Sequence, residues 1–151
     1  MPGHIGICIK SKFQQSLEKG LRRMIYRSDP VSRESIKGDT WCSGLVKDSR
    51  EMTPGKIELD HTTILIDGEW YDGTEAQLRK THSSSQCLDI IAQSNGHFSA
   101  IIVDHTETIL HIVSDHLGLK PLYIHRTNDS IAWSSEIKSL LTFNLHFEID
   151  S

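Results

Sequence analysis

The sequence lacks most of the features that would assign it at once to a large class of proteins. Its 151 residues contain three cysteines, Cys8, Cys42 and Cys87, whose wide spacing fits neither a zinc site nor a disulfide framework, so we expect reduced, mostly buried thiols. No apolar run approaches the roughly 20 residues of a membrane span. The amino terminus also lacks the basic-then-apolar pattern of a signal peptide. These absences predict a cytoplasmic protein without a membrane partner.

Positive charge is also scarce. Asp and Glu number 20 against 16 Lys and Arg, which gives a net charge of −4 and excludes a nucleic acid partner that would need a basic face. No glycine-rich phosphate loop is present. The nine histidines are scattered, with no His-x-x-x-His on a predicted helix, so we expect neither a metal site nor a bound cofactor in this chain.

What is present is one domain's length of alternating strands and helices. Period-two apolar patterns and helical spacing predict the order strand, helix, strands, two helices, four strands, helix, which is typical of an α+β fold built in layers. The predicted strands are 4–10, 40–46, 55–60, 62–67, 97–104, 108–115, 121–125 and 130–134. The predicted helices are 13–26, 74–80, 84–92 and 134–143. We expect residues 27–39 to be a loop and residues 67–73 a turn.

Four strings between residues 65 and 141 carry a family resemblance. "NGHFSAIIVDHTETILHIVSDHLGLKPLYIH" contains Gly96-His97-Phe98-Ser99 and a D-x-x-G-x-K-P-L-Y turn at residues 115–123. "SSEIKSLL" contains S-E-I-K at residues 135–138, and "LIDGEWYDG" lies upstream. In this order the strings resemble the class II glutamine amidotransferase domain, which is the amino-terminal half of asparagine synthetases. The resemblance covers residues 62–143 well and the first 60 only loosely.

The resemblance implies a fold and a domain division. It implies a four-layer αββα sandwich of the amino-terminal-nucleophile hydrolase type, with the glutaminase-like domain at residues 1–143. Residues 144–151 would be a tail that leads toward an absent synthetase domain and buries Leu145, Phe147 and Ile149 against it. The D-x-x-G-x-K-P-L-Y string would be structural, because Gly118 permits a tight turn and Pro121 starts a strand. Leu122 would then lie in the sheet core.

The resemblance also identifies a glutamine pocket whose chemistry is missing here. Members of the family carry an amino-terminal Cys nucleophile, where this sequence has Pro2. Their N-G-E oxyanion segment corresponds to Asp67, Gly68 and Glu69, and an ionised Asp67 accepts hydrogen bonds but cannot donate one. Losing one such donor typically costs about 10²–10³ in rate. Arg27 is what remains of an H-R-G-P-D segment. We therefore expect no catalytic residue and a vestigial pocket formed by Pro2, Arg27, Asp67, Gly68 and Glu69.

The two groups that hold the amine and the carboxylate of glutamine in the family have no secure match in this sequence. The family's acidic segment that holds the glutamine amine corresponds to "HSSSQCLDI", which contains no carboxylate before Asp89. Arg50 is a poor candidate for the arginine that holds the glutamine carboxylate. Several losses together favour a pseudoenzyme over an active glutamine hydrolase.

The resemblance therefore predicts a catalytically silent, structural half of an ATP-dependent amide-forming ligase related to asparagine synthetases. Relatives that lack the nucleophile include β-lactam synthetases and the macrolactam-forming cyclases of lasso peptides, so a role in peptide biosynthesis is implied. ATP and Mg would belong to the synthetase domain or subunit, the expected partner, beside a peptide or small carboxylate substrate. The alternatives are a free-standing binding module, a homodimerisation module and a fragment of a glutamine-dependent asparagine synthetase.

Overall fold

Two antiparallel sheets stack face to face and are covered on their outer faces by helices. The structure is a computed structural model, and it describes residues 3–9, 14–24 and 31–143. In these ranges the layers follow the order helix, sheet, sheet, helix, so the predicted four-layer αββα sandwich is confirmed.

The described ranges contain nine strands, four α-helices and one turn of 3-10 helix. In chain order these are β1 (Gly3–Ile9), α1 (Gln14–Arg23), β2 (Val31–Lys37), β3 (Trp41–Asp48), β4 (Lys56–Glu58), β5 (Thr62–Trp70), α2 (Thr74–Leu78), α3 (Ser84–Gln93), β6 (Gly96–Asp104), β7 (Ile109–Ser114), β8 (Tyr123–Arg126), β9 (Ser130–Ser134), α4 (Ile137–Leu140) and the 3-10 turn Leu141–Phe143. None of these helices is long and apolar enough to cross a membrane.

The order of the strands places β1 in the middle of the first sheet. The first sheet has the order β2-β3-β1-β9-β8 and the second has the order β4-β5-β6-β7, with every pair antiparallel. Gly3, at the start of β1, pairs with Val46 of β3. In the second sheet, Asp67 of β5 pairs with Ser99 of β6. Residues of β1 are therefore hydrogen-bonded on both sides, to β3 and to β9.

The alternation of strand side chains produces three apolar layers. On β5, Ile64 and Ile66 face α2 and α3, whereas Leu65 faces the other sheet. Between the sheets lie the fully buried Leu45, Leu65, Ile101, Val103 and Trp133. The layer under α1 and α4 contains Ile5, Ile7, Leu17, Leu21, Leu140 and Phe143. A β-carbon at Gly6 would lie 2.2 Å from the indole of Trp133, so the glycine makes room for the largest residue of the core.

The loop between β7 and β8 is folded around one carboxylate. Asp115 accepts hydrogen bonds from the backbone N–H groups of Phe98, Leu117, Leu119 and Lys120, at 3.2, 2.9, 3.1 and 3.4 Å. Gly118 has φ +62°, a conformation that L side chains rarely adopt, which confirms the predicted turn. The D-x-x-G-x-K string therefore builds a rigid loop.

Two further local features are the cap of α3 and the burial of the cysteines. The Ser83 side chain accepts from the backbone N–H of Gln86 at 3.3 Å and caps α3. Cys42 and Cys87 are buried and Cys8 is half-buried, which agrees with the expected set of mostly buried thiols.

Four expectations about secondary structure and burial are wrong. Residues 31–37 form the edge strand β2, because backbone pairing with β3 needs no apolar side chains at an edge. β5 continues through the predicted turn to Trp70, since β6 pairs with it along its whole length. The last helix is a single turn, followed by a 3-10 turn, and its Ile137 and Leu141 are exposed. Leu122 is half-buried and precedes β8.

Candidate functional site

Polar side chains meet between the sheets near the start of β1. Leu45 and Leu65 face the space between the sheets, and side chains alternate along a strand, so Lys47 and Asp67 face the same space. The register pairs Asp67 with Ser99, and the imidazole of His4 reaches the same strand from the first sheet. We call this group the inter-sheet cluster, and it consists of His4, Lys47, Glu51, Asp67, Ser99 and Lys120.

Asp67 is the most buried carboxylate of the cluster and is held by a lysine. Its side chain is 1% exposed, and Lys120 Nζ lies 3.2 Å from Asp67 Oδ1 as hydrogen-bond donor and counter-ion. Lys120 is carried there by the loop that Asp115 organises. A carboxylate withdrawn from water needs such a partner, because an isolated buried charge is strongly destabilising.

Position 68, directly after Asp67, accommodates only glycine. Its φ is +108°, and a β-carbon there would lie 2.0 Å from the backbone oxygen of His97 on β6. Its own carbonyl oxygen accepts a hydrogen bond from Lys47 Nζ at 3.2 Å. The segment after Asp67 is therefore fixed both by close packing against β6 and by a lysine from the opposite sheet.

Glu51 connects the two lysines. Lys47, only 3% exposed, lies 2.8 Å from Glu51 Oε2, and Lys120 lies 3.6 Å from Glu51 Oε1. Burial opposes ionisation of Glu51, but the hydrogen bonds and charges of the two lysines outweigh it and hold the pKa of this carboxyl below its ordinary value. Two cations and two carboxylates thus form one continuous network with no net charge.

His4 adds a neutral imidazole to this network. The ring is fully buried, and its Nε2 lies 2.9 Å from the backbone oxygen of Ser99, which can only accept, so Nε2 carries the proton. Burial lowers the pKa of His4, and the negative charge of Asp67 offsets this only in part. Neither His4 Nδ1 nor the Ser99 hydroxyl has a hydrogen-bond partner among the residues that the structure describes. The backbone N–H of His4 donates to Ser135 Oγ at 2.9 Å and anchors the strand.

The predicted pocket residues are placed as follows. Asp67 and Gly68 belong to the inter-sheet cluster. Glu69 lies beside them, half-buried, paired with His97 across the ladder and without an ion pair to any described residue. Pro2 and Arg27 lie outside the described residues, as does the predicted tail 144–151.

The residues that sequence reasoning missed are the ones that neutralise Asp67. Lys120 stands inside the D-x-x-G-x-K string, which was interpreted as purely structural, and Lys47 ends a strand pattern as an outward-facing residue would. Arg50, the weak candidate for a carboxylate anchor, is exposed and pairs with Asp48. A buried Asp in an otherwise apolar strand was the available signal, because it requires a cation from elsewhere in the fold. Within the described ranges, no three His, Cys, Asp or Glu side chains converge as a metal site would require.

Comparison with known proteins gives a family match and a fold match. The sequence model of a family described as "Glutamine amidotransferase domain" matches residues 57–142, which is more than half of the chain. A search of curated proteins finds no match.

Among solved structures, the chain is similar to glutamine phosphoribosylpyrophosphate amidotransferase from B. subtilis, complexed with ADP and GMP. The TM-score is 0.73 at 15% identity, over 94% of this chain and 43% of that one. A structure described as the allosteric regulatory enzyme of purine biosynthesis gives a TM-score of 0.71 at 14% identity, with the same coverage. The chain therefore spans less than half the length of the structures it resembles.

Proposed function

Since the chain belongs to the glutamine amidotransferase domain family, we propose that it is a catalytically silent member, whose glutamine pocket has become an internal ion-pair network. The observation that carries this proposal is the pairing of Asp67 with Lys120. The family resemblance places an amide donor at that position, to stabilise the oxyanion of the reaction. A carboxylate there can only accept, and its Oδ1 already accepts a hydrogen bond from a lysine.

The charge balance of the inter-sheet cluster supports the same proposal. Glutamine binds as a zwitterion, so a working pocket needs a cation for its carboxylate and an anion for its ammonium group. Among the described residues of the inter-sheet cluster, Lys47 and Lys120 are the cations, and both are already paired with Glu51 or Asp67. A ligand that entered would have to break buried ion pairs, which costs several kcal/mol in general. Pro2 also offers no thiol.

We propose further that the domain works beside an ATP-dependent amide-forming ligase of the asparagine synthetase type. The family to which it belongs and its share of 43% of the similar structures support a further domain or subunit, and the resemblance of its sequence strings to asparagine synthetases favours a ligase as that partner. Nucleotide and Mg would bind to residues outside these 151, because no phosphate loop occurs in them. The macrolactam-forming or β-lactam-forming chemistry is the one that fits a silent glutaminase half, since the amine then comes from the substrate itself.

A glutaminase assay tests the silent pocket. We expect glutamate release from glutamine to equal the buffer blank for the wild-type chain and for Pro2→Cys, because Asp67 remains an acceptor in both. A measurable turnover by either protein, or labelling of a cysteine by a glutamine-analogue electrophile, would contradict the proposal. Active asparagine synthetase treated in parallel shows that the assay detects the reaction.

The second candidate is a binding module without a ligase. The exposed Leu117 and Leu119, 80% and 60% accessible on the rigid loop, favour it, because solvent-facing leucines on an ordered loop are suited to a protein contact. Co-expression with a ligase subunit encoded beside it separates the two. A stable complex that forms amide from ATP supports the ligase role, and no association with it supports the binding module.

A further inference from the structure

Among the described strands, β8 forms one of the two outer edges of the first sheet. In the described part of the chain β8 pairs only with β9, and the order β2-β3-β1-β9-β8 places it last. Its Tyr123 and Ile124 are 43% and 57% exposed. An edge strand of this kind presents unpaired backbone groups to any chain that can extend beside it.

The register shows which backbone groups are available. Thr127 N–H donates to the Ser130 oxygen at 2.9 Å, which closes the β8–β9 hairpin with a hydrogen-bonded pair. Hydrogen-bonded and non-hydrogen-bonded pairs alternate along an antiparallel ladder, so Tyr123 and His125 direct their backbone groups toward β9. Ile124 and Arg126 therefore direct their N–H and C=O groups outward.

The same two residues project their side chains from one face of the sheet. Ile124 and Arg126 are two positions apart, so they share the face on which Trp133 lies. Arg126 is exposed, makes no ion pair with any described residue and lines an open cavity of about 320 Å³ together with Asp129 and Ile131. The edge thus offers one apolar and one cationic contact beside its free backbone groups, on a chain whose net charge is −4.

We propose that β8 binds an extended peptide strand that carries an apolar residue opposite Ile124 and an acidic residue opposite Arg126. The peptide would continue the first sheet as a sixth strand, with main-chain hydrogen bonds for affinity and the two side chains for selectivity. Charge complementarity favours such a peptide over a two-fold pairing of β8 with β8 of a second copy, because β8 contains no carboxylate for Arg126. The proposal does not depend on whether the inter-sheet cluster is silent.

Synthetic peptides provide the test. The probes are fluorescein-labelled peptides of about eight alternating valine and threonine residues, long enough for one strand, with one valine replaced by Glu or by Lys. Anisotropy at low salt should show saturable binding to the full wild-type chain. The acidic peptide should bind about fivefold more tightly than the basic one, since opposite charges across a strand pair attract and like charges repel.

Three variants separate the backbone contact from the charge contact. Ile124→Pro removes an outward N–H while leaving the ladder to β9 intact, so both peptides should lose about tenfold or more in affinity. Ile124→Val, the matched control, keeps the N–H and should bind as wild type. Arg126→Glu, a surface change that leaves the fold intact, should reverse the preference between the peptides.

Several outcomes would overturn the proposal. One is that binding of the acidic peptide to the wild-type chain does not saturate. Another is that the acidic and the basic peptide bind equally tightly, both to wild type and to Arg126→Glu. Sedimentation provides the last: if wild type is a dimer that Ile124→Pro dissociates, the edge belongs to a second copy and the peptide proposal is wrong.

Discussion

Replacing Asp67 by Asn tests the ion-pair network most directly. The change keeps the shape of the side chain, removes its charge and leaves Lys120 beside an amide. Breaking a buried ion pair by removing one partner costs roughly 3–5 kcal/mol in general. The loss here should be smaller, because Lys120 is 18% exposed and keeps Glu51 at 3.6 Å. We expect the free energy of unfolding to fall by about 2 kcal/mol.

The assay is thermal or urea unfolding followed by circular dichroism. For a chain of this length about 2 kcal/mol lowers the melting temperature by roughly 4–8 °C. The control is Glu75→Gln, which makes the same chemical change in the exposed pair between Glu75 and Arg79 at 2.8 Å. Exposed pairs contribute about 0–1 kcal/mol, so this variant should melt close to wild type.

A double variant shows whether the cost comes from the stranded lysine. Adding Lys120→Met to Asp67→Asn removes the cation that has lost its closest partner and replaces it with an apolar chain of similar length. The double variant should therefore be less destabilised than the sum of the two single variants. If Asp67→Asn and Glu75→Gln have the same melting temperature, Asp67 is not held by a buried ion pair, and the argument for a self-neutralised pocket fails.

Three further predictions follow from the geometry of single residues. Gly68→Ala should lower the free energy of unfolding by about 2 kcal/mol or more, because the new β-carbon meets backbone at 2.0 Å. Gly73→Ala, also at positive φ but in open space, should lower it by about 1 kcal/mol. Urea unfolding midpoints compare the two variants. The free energy of unfolding should fall as the pH drops below about 6.5, because His4 takes up a proton in the unfolded chain that it resists when buried. It should fall again below about 4.5, where Glu51 is protonated more readily in the unfolded chain than in the folded one. A flat profile of urea midpoints against pH contradicts this. Burial raises the pKa of Cys42 to about 11, so this thiol should react with a disulfide reagent at pH 8 only after unfolding, and rapid native labelling there would refute the placement.

The parts of the fold that were predictable are those specified by local chemistry. Gly118 at positive φ, the Ser83 cap and the apolar runs of β5 and β6 each depend on residues within a few positions of one another. These signals lie in the half of the chain where the family resemblance is strong, so sequence and resemblance agreed. β2 was missed because its polar side chains give no apolar period, and its pairing with β3 is made by the backbone alone.

The inter-sheet cluster was harder to predict, because its charges come from positions far apart in the chain. Lys120 and Asp67 are 53 positions apart and meet only when the second sheet stacks on the first and the Asp115 loop closes over its end. Before that stacking is known, Lys47 at the end of a strand is indistinguishable from a solvent-facing lysine.

Asp67 nevertheless constrained the answer from the sequence alone. Alternation places it on the same face as Leu65, and a carboxylate on a buried face requires a counter-ion. The family string contains a single cation, Lys120, and the loop that carries it is fixed by four backbone hydrogen bonds to Asp115. The same string that defines the fold therefore also supplies the charge that occupies the pocket, so a functional reversion at Asp67 would have to accommodate a Lys120 left with Glu51 alone at 3.6 Å as well as restore a donor.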